Sequence, residues 1–178
     1  SIDNAVELIN KAKKPFIVWG QGVILGNAET EFKDFVEKSG IPAAWTILGL
    51  SALPTSHELN VGMVGMHGNY GPNILTNECD LLIAVGMRFD DRVTGDPKTY
   101  ASQAKIIHLD IDPAEINKNI NVDVPVIGDC KESLKLITKK IQKKIHDKWI
   151  SRFDDLMKIE FEKVINSDLN PVKDGLTM

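Results

Sequence analysis

Charged side chains are concentrated directly after an apolar run in the segment DLLIAVGMRFDDRVTG, which spans residues 80–95. Residues 81–85 are uniformly apolar, which predicts a strand buried on both faces of a parallel sheet. Two arginines and two aspartates follow this strand: Arg88, Asp90, Asp91 and Arg92. Ligands of open α/β sheets bind beside the carboxyl ends of strands, and guanidinium groups suit anions. The segment therefore predicts an anion-binding loop, against the alternative of a solvated loop with internal ion pairs.

A second candidate is the glycine-rich turn formed by Gly20, Gln21 and Gly22, with Gly26 nearby, after a predicted strand. In such turns, backbone N–H groups approach a phosphate at a helix N-terminus. The NAD fingerprint also needs an acidic residue at the end of the second strand. Here the second predicted strand is followed by Thr46, so a nicotinamide cofactor is disfavoured.

Histidines and acids supply the remaining candidates. His67 lies between glycines in VGMVGMHGN and is predicted to belong to a ligand-facing loop. Asp110 ends the strand in HLDIDP, where a carboxylate can accept hydrogen bonds from a ribose or a base, and Asp129 repeats this arrangement after the next strand. Asp112 is better explained as the cap of a helical turn that begins at Pro113. The other three histidines are predicted to be structural: His57, His108 and His146.

Composition excludes several classes of function. The 178 residues carry a net charge of −4, which disfavours nucleic acid as a partner. The sequence contains neither a membrane-spanning apolar run nor a signal-peptide pattern. Cys79 and Cys130 form no C-x-x-C motif, which disfavours a zinc or redox site and suits a reducing, cytoplasmic compartment. Both cysteines are predicted to be small buried hydrophobic residues.

Strands alternate with helices along the chain. Strands are predicted at 16–19, 41–45, 81–85, 105–109 and 124–127, with a sixth hidden within 50–66. Helices are predicted at 3–13 with Asp3 as the cap, at 27–39 with Gly40 as the terminator, at 74–79, and at 131–165 with a break near 147–151. The lysine-rich run at 139–148 is predicted to be a solvated helix face. This order predicts an α/β fold with a doubly wound, mostly parallel six-stranded sheet and helices on both faces.

Taken in order, the motifs GQG, TILGL, GMVGMHGNYGPN, VGMRFDDRVTG, HLDIDPAEINKN and GD resemble one family. The chain is similar to the central domain of the acetolactate synthases (acetohydroxyacid synthases), which are thiamine-diphosphate enzymes. The similarity runs from the first helix to about residue 140, and RFDDRVTG is its most specific block. It implies a Rossmann-like domain of the DHS-like NAD/FAD-binding type.

The resemblance implies that this domain binds FAD in an extended pose, and it assigns residues to each part of the cofactor. The cofactor would be lined by Gly20, Gln21, Gly22, Thr46, Ile47, Leu48 and Gly49. The flavin side would meet Val64, Gly65, Met66 and His67. The pyrophosphate and ribityl region would be held by Gly86, Met87, Arg88, Phe89, Asp90, Arg92 and Val93. The adenosine end would contact Asp110, Ile111, Asp129 and Cys130. Asp91 and Arg92 would lie near the substrate entrance.

The resemblance also implies a parent enzyme in which flavin performs no net redox chemistry. The parent would bind thiamine diphosphate and Mg²⁺ through N- and C-terminal domains of the same chain. It would be a homo-oligomer with a regulatory small subunit, acting in branched-chain amino-acid biosynthesis. Residues 1–165 are predicted to be the central domain, and 166–178 a linker with the first residues of the next domain. No catalytic or metal-binding residue is assigned to this chain, which is expected to be inactive alone.

Two alternatives remain open from the sequence. The first is the flavin-free spacer domain of another thiamine-diphosphate enzyme, and the RFDDRVTG block counts against it. The second is a self-sufficient NAD-dependent enzyme of Rossmann-like fold with His67 as its base. The absence of an acidic residue after the second predicted strand counts against this one.

Overall fold

Six parallel strands form a single sheet in the computed structural model, which describes residues 1–169. The strands are β1 (Pro15–Trp19), β2 (Ala43–Trp45), β3 (Asn60–Met63), β4 (Leu81–Val85), β5 (Lys105–Asp110) and β6 (Val124–Ile127). Their order across the sheet is β3-β2-β1-β4-β5-β6, and each neighbouring pair is parallel. The doubly wound α/β sheet expected from the sequence is confirmed, and the hidden sixth strand is β3.

Helices cover both faces of this sheet. They are α1 (Ile2–Lys11), α2 (Gly22–Leu25), α3 (Glu29–Ser39), α4 (Tyr70–Thr76), α5 (Asp91–Thr94), α6 (Cys130–Lys140), α7 (Asp147–Glu160) and α8 (Asn166–Leu169). Short 3₁₀ turns occupy Ile47–Gly49 and Pro113–Glu115, and a π-helical segment, Phe161–Ile165, joins α7 to α8. Helices α1, α3 and α6 pack together on one face, while α4 and α7 pack together on the other. None of the described helices is long and apolar enough to cross a membrane.

Strand β1 lies at the centre and supplies both cores. Side chains alternate along a strand, so Ile17 and Trp19 enter the core with α3, while Phe16 and Val18 enter the core with α7. Trp19 packs against Phe32, with ring centroids 5.1 Å apart. Burial of each such large side chain contributes about 1.5–3 kcal/mol. The two cores fix the strands, and thereby the edge at which their carboxyl ends meet.

The predicted helix boundaries need correction at four places. The N-cap of α1 is Ser1 and not Asp3, whose carboxylate instead pairs with Lys140 at 2.7 Å. The predicted helix at 27–39 begins at Glu29, preceded by the separate short helix α2. Helix α4 ends at Thr76, so the predicted helix at 74–79 was placed too late. Gly40 does terminate α3, in the left-handed conformation with φ of 64°.

The fourth correction concerns the long helical prediction at 131–165. The break lies at 141–146, before α7, and not at 147–151. The lysine-rich run is therefore not one solvated helix face. Its middle crosses the surface as an extended segment, where the Lys144 ammonium bonds to the carbonyl of Asn10 and the Lys144 backbone packs against Gly40. Of the residues predicted to be a linker and the start of the next domain, 166–178, residues 166–169 form α8, and residues 170–178 lie outside the described residues.

Candidate functional site

A cleft of about 550 Å³ opens at the carboxyl edge of the sheet. It lies where β1 and β4 are neighbours while β2 continues on one side and β5 on the other. Open parallel sheets bind ligands at this switch point. The cleft is lined by Gly20, Gln21, Gly22, Leu25, Thr46, Ile47, Leu48, Met63, Val64, Met66, His67, Gly86, Met87, Arg88, Asp90, Arg92 and Val93.

Most of the site residues predicted from the sequence thus line this cleft, and they come from four separate segments of the chain. Two lining residues, Leu25 and Met63, were missed. Met63 ends the strand whose position the sequence left open, and Leu25 belongs to a helix of four residues that shows no periodicity. An apolar residue in a short element gives no sequence signal that separates a cleft wall from a core.

The first wall of the cleft, which forms its floor, is made of packed backbone. The N–H of Gly20 donates to the Val85 carbonyl at 3.0 Å, and the N–H of Gly22 donates to the Gly86 carbonyl at 2.8 Å. A Cβ on Gly22 would lie 2.6 Å from the Cα of Gly86, which itself has φ of 56°. These two glycine N–H groups are engaged within the protein, and α2 has only four residues. The glycines are therefore explained by close packing, without a phosphate.

The second wall is an apolar turn held by Trp19. Its indole Nε1 donates to the Gly49 carbonyl at 2.8 Å, and the Trp19 carbonyl accepts from the N–H of Thr46 at 2.9 Å. These bonds present Ile47 and Leu48 outward, with 68% and 59% of their surfaces exposed. Gly49 is buried behind the turn and does not line the cleft. The wall offers apolar surface to a ligand.

Two asparagines shape the third wall at 63–68. Asn73 exchanges hydrogen bonds with the backbone of Gly65 at 2.9 Å in each direction, and Asn69 accepts from the N–H of Met63 at 2.9 Å. The N–H of Met66 donates to the Arg92 carbonyl at 2.8 Å. The bonds bring Met66 and His67, both exposed, to the cleft. His67 thus lies where the sequence placed it, in a cleft-facing loop.

The fourth wall carries the charges. Asp90 caps α5 by accepting from the N–H of Arg92 at 3.1 Å, so part of the predicted loop is helical. The Arg88 guanidinium lies 3.7 Å from the Asp90 carboxylate and remains 66% exposed. An exposed pair of this kind contributes at most about 1 kcal/mol. Both arginines line the mouth of the cleft, where an anion could displace the weak internal contact.

The side chain of Phe89 does not reach the cleft. It is buried against His108 and Tyr100, and its carbonyl accepts from the Asn119 amide at 2.7 Å. Gly65 also lies behind the lining residues, since a Cβ there would be 2.7 Å from the Arg92 carbonyl. Both residues support the cleft from within the protein.

The residues assigned to the adenosine end lie along the same edge, at the ends of β5 and β6, but outside the cleft. Asp129 caps α6 by accepting from the N–H of Glu132 at 2.9 Å, and Asp112 caps the turn at Pro113 as predicted. Ile111 is 72% exposed, while Cys130 is only partly buried and Cys79 is fully buried. Burial raises the pKa of the Cys130 thiol to about 12, which leaves it protonated.

Asp110 keeps its carboxylate charged. Burial acts to raise its pKa, but the His108 imidazole and the backbone N–H of Asp112 outweigh burial and lower the pKa below its ordinary value. The N–H of Asp112 lies 2.9 Å from Asp110 Oδ1. The acceptor expected from the sequence is thus ionised. Across residues 1–169, no group of three or more His, Cys, Asp or Glu side chains could hold a metal ion.

Comparisons with known proteins agree with this architecture. Residues 2–137 match the family described as "Thiamine pyrophosphate enzyme, central domain". The chain is 44% identical over 184 residues to a probable acetolactate synthase large subunit of Methanococcus aeolicus, covering 97% of this chain and 31% of that protein. It is 48% identical over 158 residues to the acetolactate synthase large subunit of Corynebacterium glutamicum, covering 88% and 25%.

A third relative is a probable acetolactate synthase large subunit of Methanocaldococcus jannaschii, 43% identical over 175 residues, with 97% of this chain and 29% of that protein covered. The chain therefore spans less than a third of the length of these relatives. The family match covers α1 through most of α6, and it includes all four walls of the cleft. The chain belongs to the family of thiamine pyrophosphate enzyme central domains.

Proposed function

We propose that this chain is the FAD-binding central domain of an acetolactate synthase large subunit. The complete parent protein condenses pyruvate with a second 2-keto acid, pyruvate or 2-ketobutyrate, with loss of CO₂, in branched-chain amino-acid biosynthesis. The names of the relatives support the parent activity. The observation that carries the cofactor assignment is the cleft itself, where two exposed guanidinium groups face an apolar wall.

The donor set of the cleft fits a flavin dinucleotide. A pyrophosphate needs cationic donors, and Arg88 and Arg92 line the mouth with both side chains exposed. A flavin ring needs apolar surface, which Ile47, Leu48 and Met66 supply with more than half of each residue exposed. The planar flavin ring of bound FAD would lie in the cleft. It would undergo no net oxidation or reduction.

The adenosine end of an extended ligand would run along the sheet edge past β5 and β6. The ionised Asp110 there offers an acceptor for hydroxyl groups, and the exposed Ile111 offers an apolar surface for a base. Asp129 is already engaged as a helix cap, so its contribution to adenosine would come from its second carboxylate oxygen. A ligand that reached both the cleft and the ends of β5 and β6 would have to be longer than the cleft itself.

Catalysis in the parent requires groups outside this chain. Thiamine diphosphate and Mg²⁺ would be held by the N- and C-terminal domains, and the parent would act as a homo-oligomer with a regulatory small subunit. The isolated chain is therefore expected to form no acetolactate from pyruvate. Product above a buffer control, with thiamine diphosphate, Mg²⁺ and FAD supplied, would contradict this expectation.

Titration of the chain and of the complete parent protein with FAD, followed by flavin fluorescence, tests the cofactor assignment. We expect saturable binding by both, weaker in the isolated chain, because excision removes contacts and leaves cleft segments to be ordered at about 1–2 kcal/mol per residue. Sub-micromolar affinity of the isolated chain would contradict the expected weakening. FMN, which lacks the adenosine end, should bind more weakly than FAD. A parent protein that binds no FAD would favour a flavin-free spacer domain instead.

A further inference from the structure

His108 is a fully buried histidine beneath the charged wall of the cleft. It lies in β5 opposite Ala84 of β4, and its surface is 0% exposed. Its Nε2 is 2.9 Å from the carbonyl oxygen of Met87, which follows β4. Because a carbonyl can only accept, Nε2 must carry the proton and donate it. The bond thus ties β5 to the turn that leads into Arg88.

The imidazole is only half satisfied by this bond. Its Nδ1 is buried and has no hydrogen-bond partner among the described residues. Asp110 Oδ2 lies 3.6 Å from Nε2, a longer and weaker contact than the bond to Met87, although it is close enough for the imidazole to lower the pKa of Asp110. A buried ring nitrogen without a partner makes the imidazole a costly way to fill the core, while an apolar side chain at this position would leave the Met87 carbonyl without its donor. The histidine is better explained by what its single bond holds in place.

The bond fixes the direction of the cleft wall. Met87 and Phe89 both point inward, with 3% of each residue exposed, and the Phe89 ring meets the His108 ring edge-on at 5.0 Å. The Asn119 amide holds the Phe89 carbonyl at 2.7 Å. With its two neighbours held inward, Arg88 is turned outward to the mouth of the cleft.

We infer that His108 is a positioning residue of the cofactor cleft, which orients Arg88 through the Met87 carbonyl toward the phosphates of the ligand. The inference rests on the proposed FAD function. Without the bond, the turn would populate other conformations, and the apparent affinity would fall by the fraction of molecules that keep the competent one.

Two amide variants separate this role from a structural one. His108→Gln places an amide N–H near the position of Nε2, whereas the shorter His108→Asn reaches only the position of Nδ1. Both remove the ring and keep a buried amide, so they differ mainly in reach to Met87. His146→Gln is the control, since His146 precedes α7 and does not line the cleft.

The first measurement uses the unliganded chain, so it does not depend on FAD. Hydrogen exchange in the segment 87–94 reports opening of the wall, because the N–H groups of Val93 and Thr94 bond to the Asp90 carbonyl there. We expect about threefold to tenfold faster exchange in His108→Asn than in His108→Gln, with unchanged exchange in β6 and α6. Equal exchange in the two variants, both folded, would overturn the inference.

The second measurement is FAD titration of the complete parent protein and its variants. We expect His108→Asn to weaken binding about threefold to tenfold, while His108→Gln and His146→Gln stay near the wild type. Equal FAD affinities of the Asn and Gln variants would overturn the inference. Absence of FAD binding in every protein, including the wild type, would instead contradict the proposed function, and the exchange experiment would still distinguish the two amides.

Discussion

The two ends of the sheet use similar charged residues in opposite ways. At the amino end, Asp80 accepts from the N–H groups of Lys13 and Lys14 at 2.8 and 2.9 Å, immediately before β1 and β4 begin. Asp123 likewise accepts from the N–H of Ile106 and from the Lys105 ammonium, at 2.9 and 2.7 Å. At the carboxyl end, Arg88 and Arg92 are exposed around a cleft.

This difference distinguishes charged side chains that form contacts within the fold from those that remain exposed to a ligand. An acid before a strand can satisfy backbone N–H groups that the sheet leaves unpaired, so its charge is used within the fold. A charge after a strand lies where the chain turns and where backbone packs on backbone, as at Gly22 and Gly86. At that end the backbone is constrained, while the side chains remain free to meet a ligand.

The largest expected effect tests the packed backbone of the cleft floor. In Gly22→Ala the new Cβ would lie 2.6 Å from the Cα of Gly86, and neither backbone can move without disturbing β1 or β4. We expect a loss of at least about 3 kcal/mol in the free energy of unfolding, measured with urea. Gly71→Ala is the control, because its Cβ would meet its nearest neighbour at an ordinary 3.5 Å. Similar losses in both variants would refute the packing role.

The sequence was sufficient for the sheet and for most of the cleft because both depend on local signals. Apolar runs located β4 and β6 to the residue, and the charged residues after β4 correctly indicated the charged wall of the cleft. The glycine turn was located correctly, but its meaning was ambiguous. Whether Gly20 and Gly22 face a phosphate or a neighbouring turn depends on Gly86, which is distant in sequence.

The role of His108 and the position of the break at 141–146 could not be predicted from the sequence, for similar reasons. The role of His108 depends on a carbonyl in another strand connection, so no pattern around HLDIDP indicates it. The break at 141–146 was misplaced because the lysines there continue a helix-like composition. Tertiary contacts hold the chain in this break, since Asn10 accepts hydrogen bonds from the N–H of Gln142 and from the Lys144 ammonium.

The next largest expected effect is the loss of FAD affinity when Arg88 is replaced. Arg88→Ala in the complete parent protein should weaken FAD binding by about one to two orders of magnitude, because charge-assisted hydrogen bonds contribute about 1.5–3 kcal/mol. Arg88→Lys should recover only part of this affinity, since an ammonium lacks the planar fork of donors. FAD titration of apo protein measures both variants.

A matched control for Arg88 exists on another face. Arg152 is also exposed and paired, 3.4 Å from Glu78, but it lies in α7 away from the cleft. Arg152→Ala should leave FAD affinity unchanged, and both alanine variants should cost at most about 1 kcal/mol in stability. Unchanged FAD affinity in Arg88→Ala would mean that Arg88 only pairs with Asp90.

A smaller effect is expected at the amino end. Asp80→Asn replaces one of two carboxylate acceptors with an amide N–H that faces a backbone donor. We expect a loss of about 1–2 kcal/mol in the free energy of unfolding and no change in FAD affinity. The exposed Asp154→Asn controls for the change in net charge. If Asp80→Asn bound FAD more weakly without losing stability, this would contradict the claim that charges at the amino end of the sheet serve the fold and those at the carboxyl end serve the ligand.

The smallest expected effect is the pH dependence of Asp123. Burial acts to raise the pKa of its carboxyl group, but the Lys105 ammonium and the N–H of Ile106 outweigh burial and hold the pKa below its ordinary value. A carboxyl group with a lower pKa in the folded state stabilises the fold fully above its unfolded pKa, and this stabilisation is lost as the pH falls through the folded pKa. Asp123→Asn should therefore be about 1 kcal/mol less stable than the wild type near neutral pH. The two unfolding free energies should converge as the pH falls below the ordinary carboxyl pKa and through the lower pKa of the folded state, while the exposed Asp155→Asn should stay close to the wild type throughout. A stability difference between Asp123→Asn and the wild type that stays constant down to acid pH would show that the charge of Asp123 is not what holds the amino end of β5.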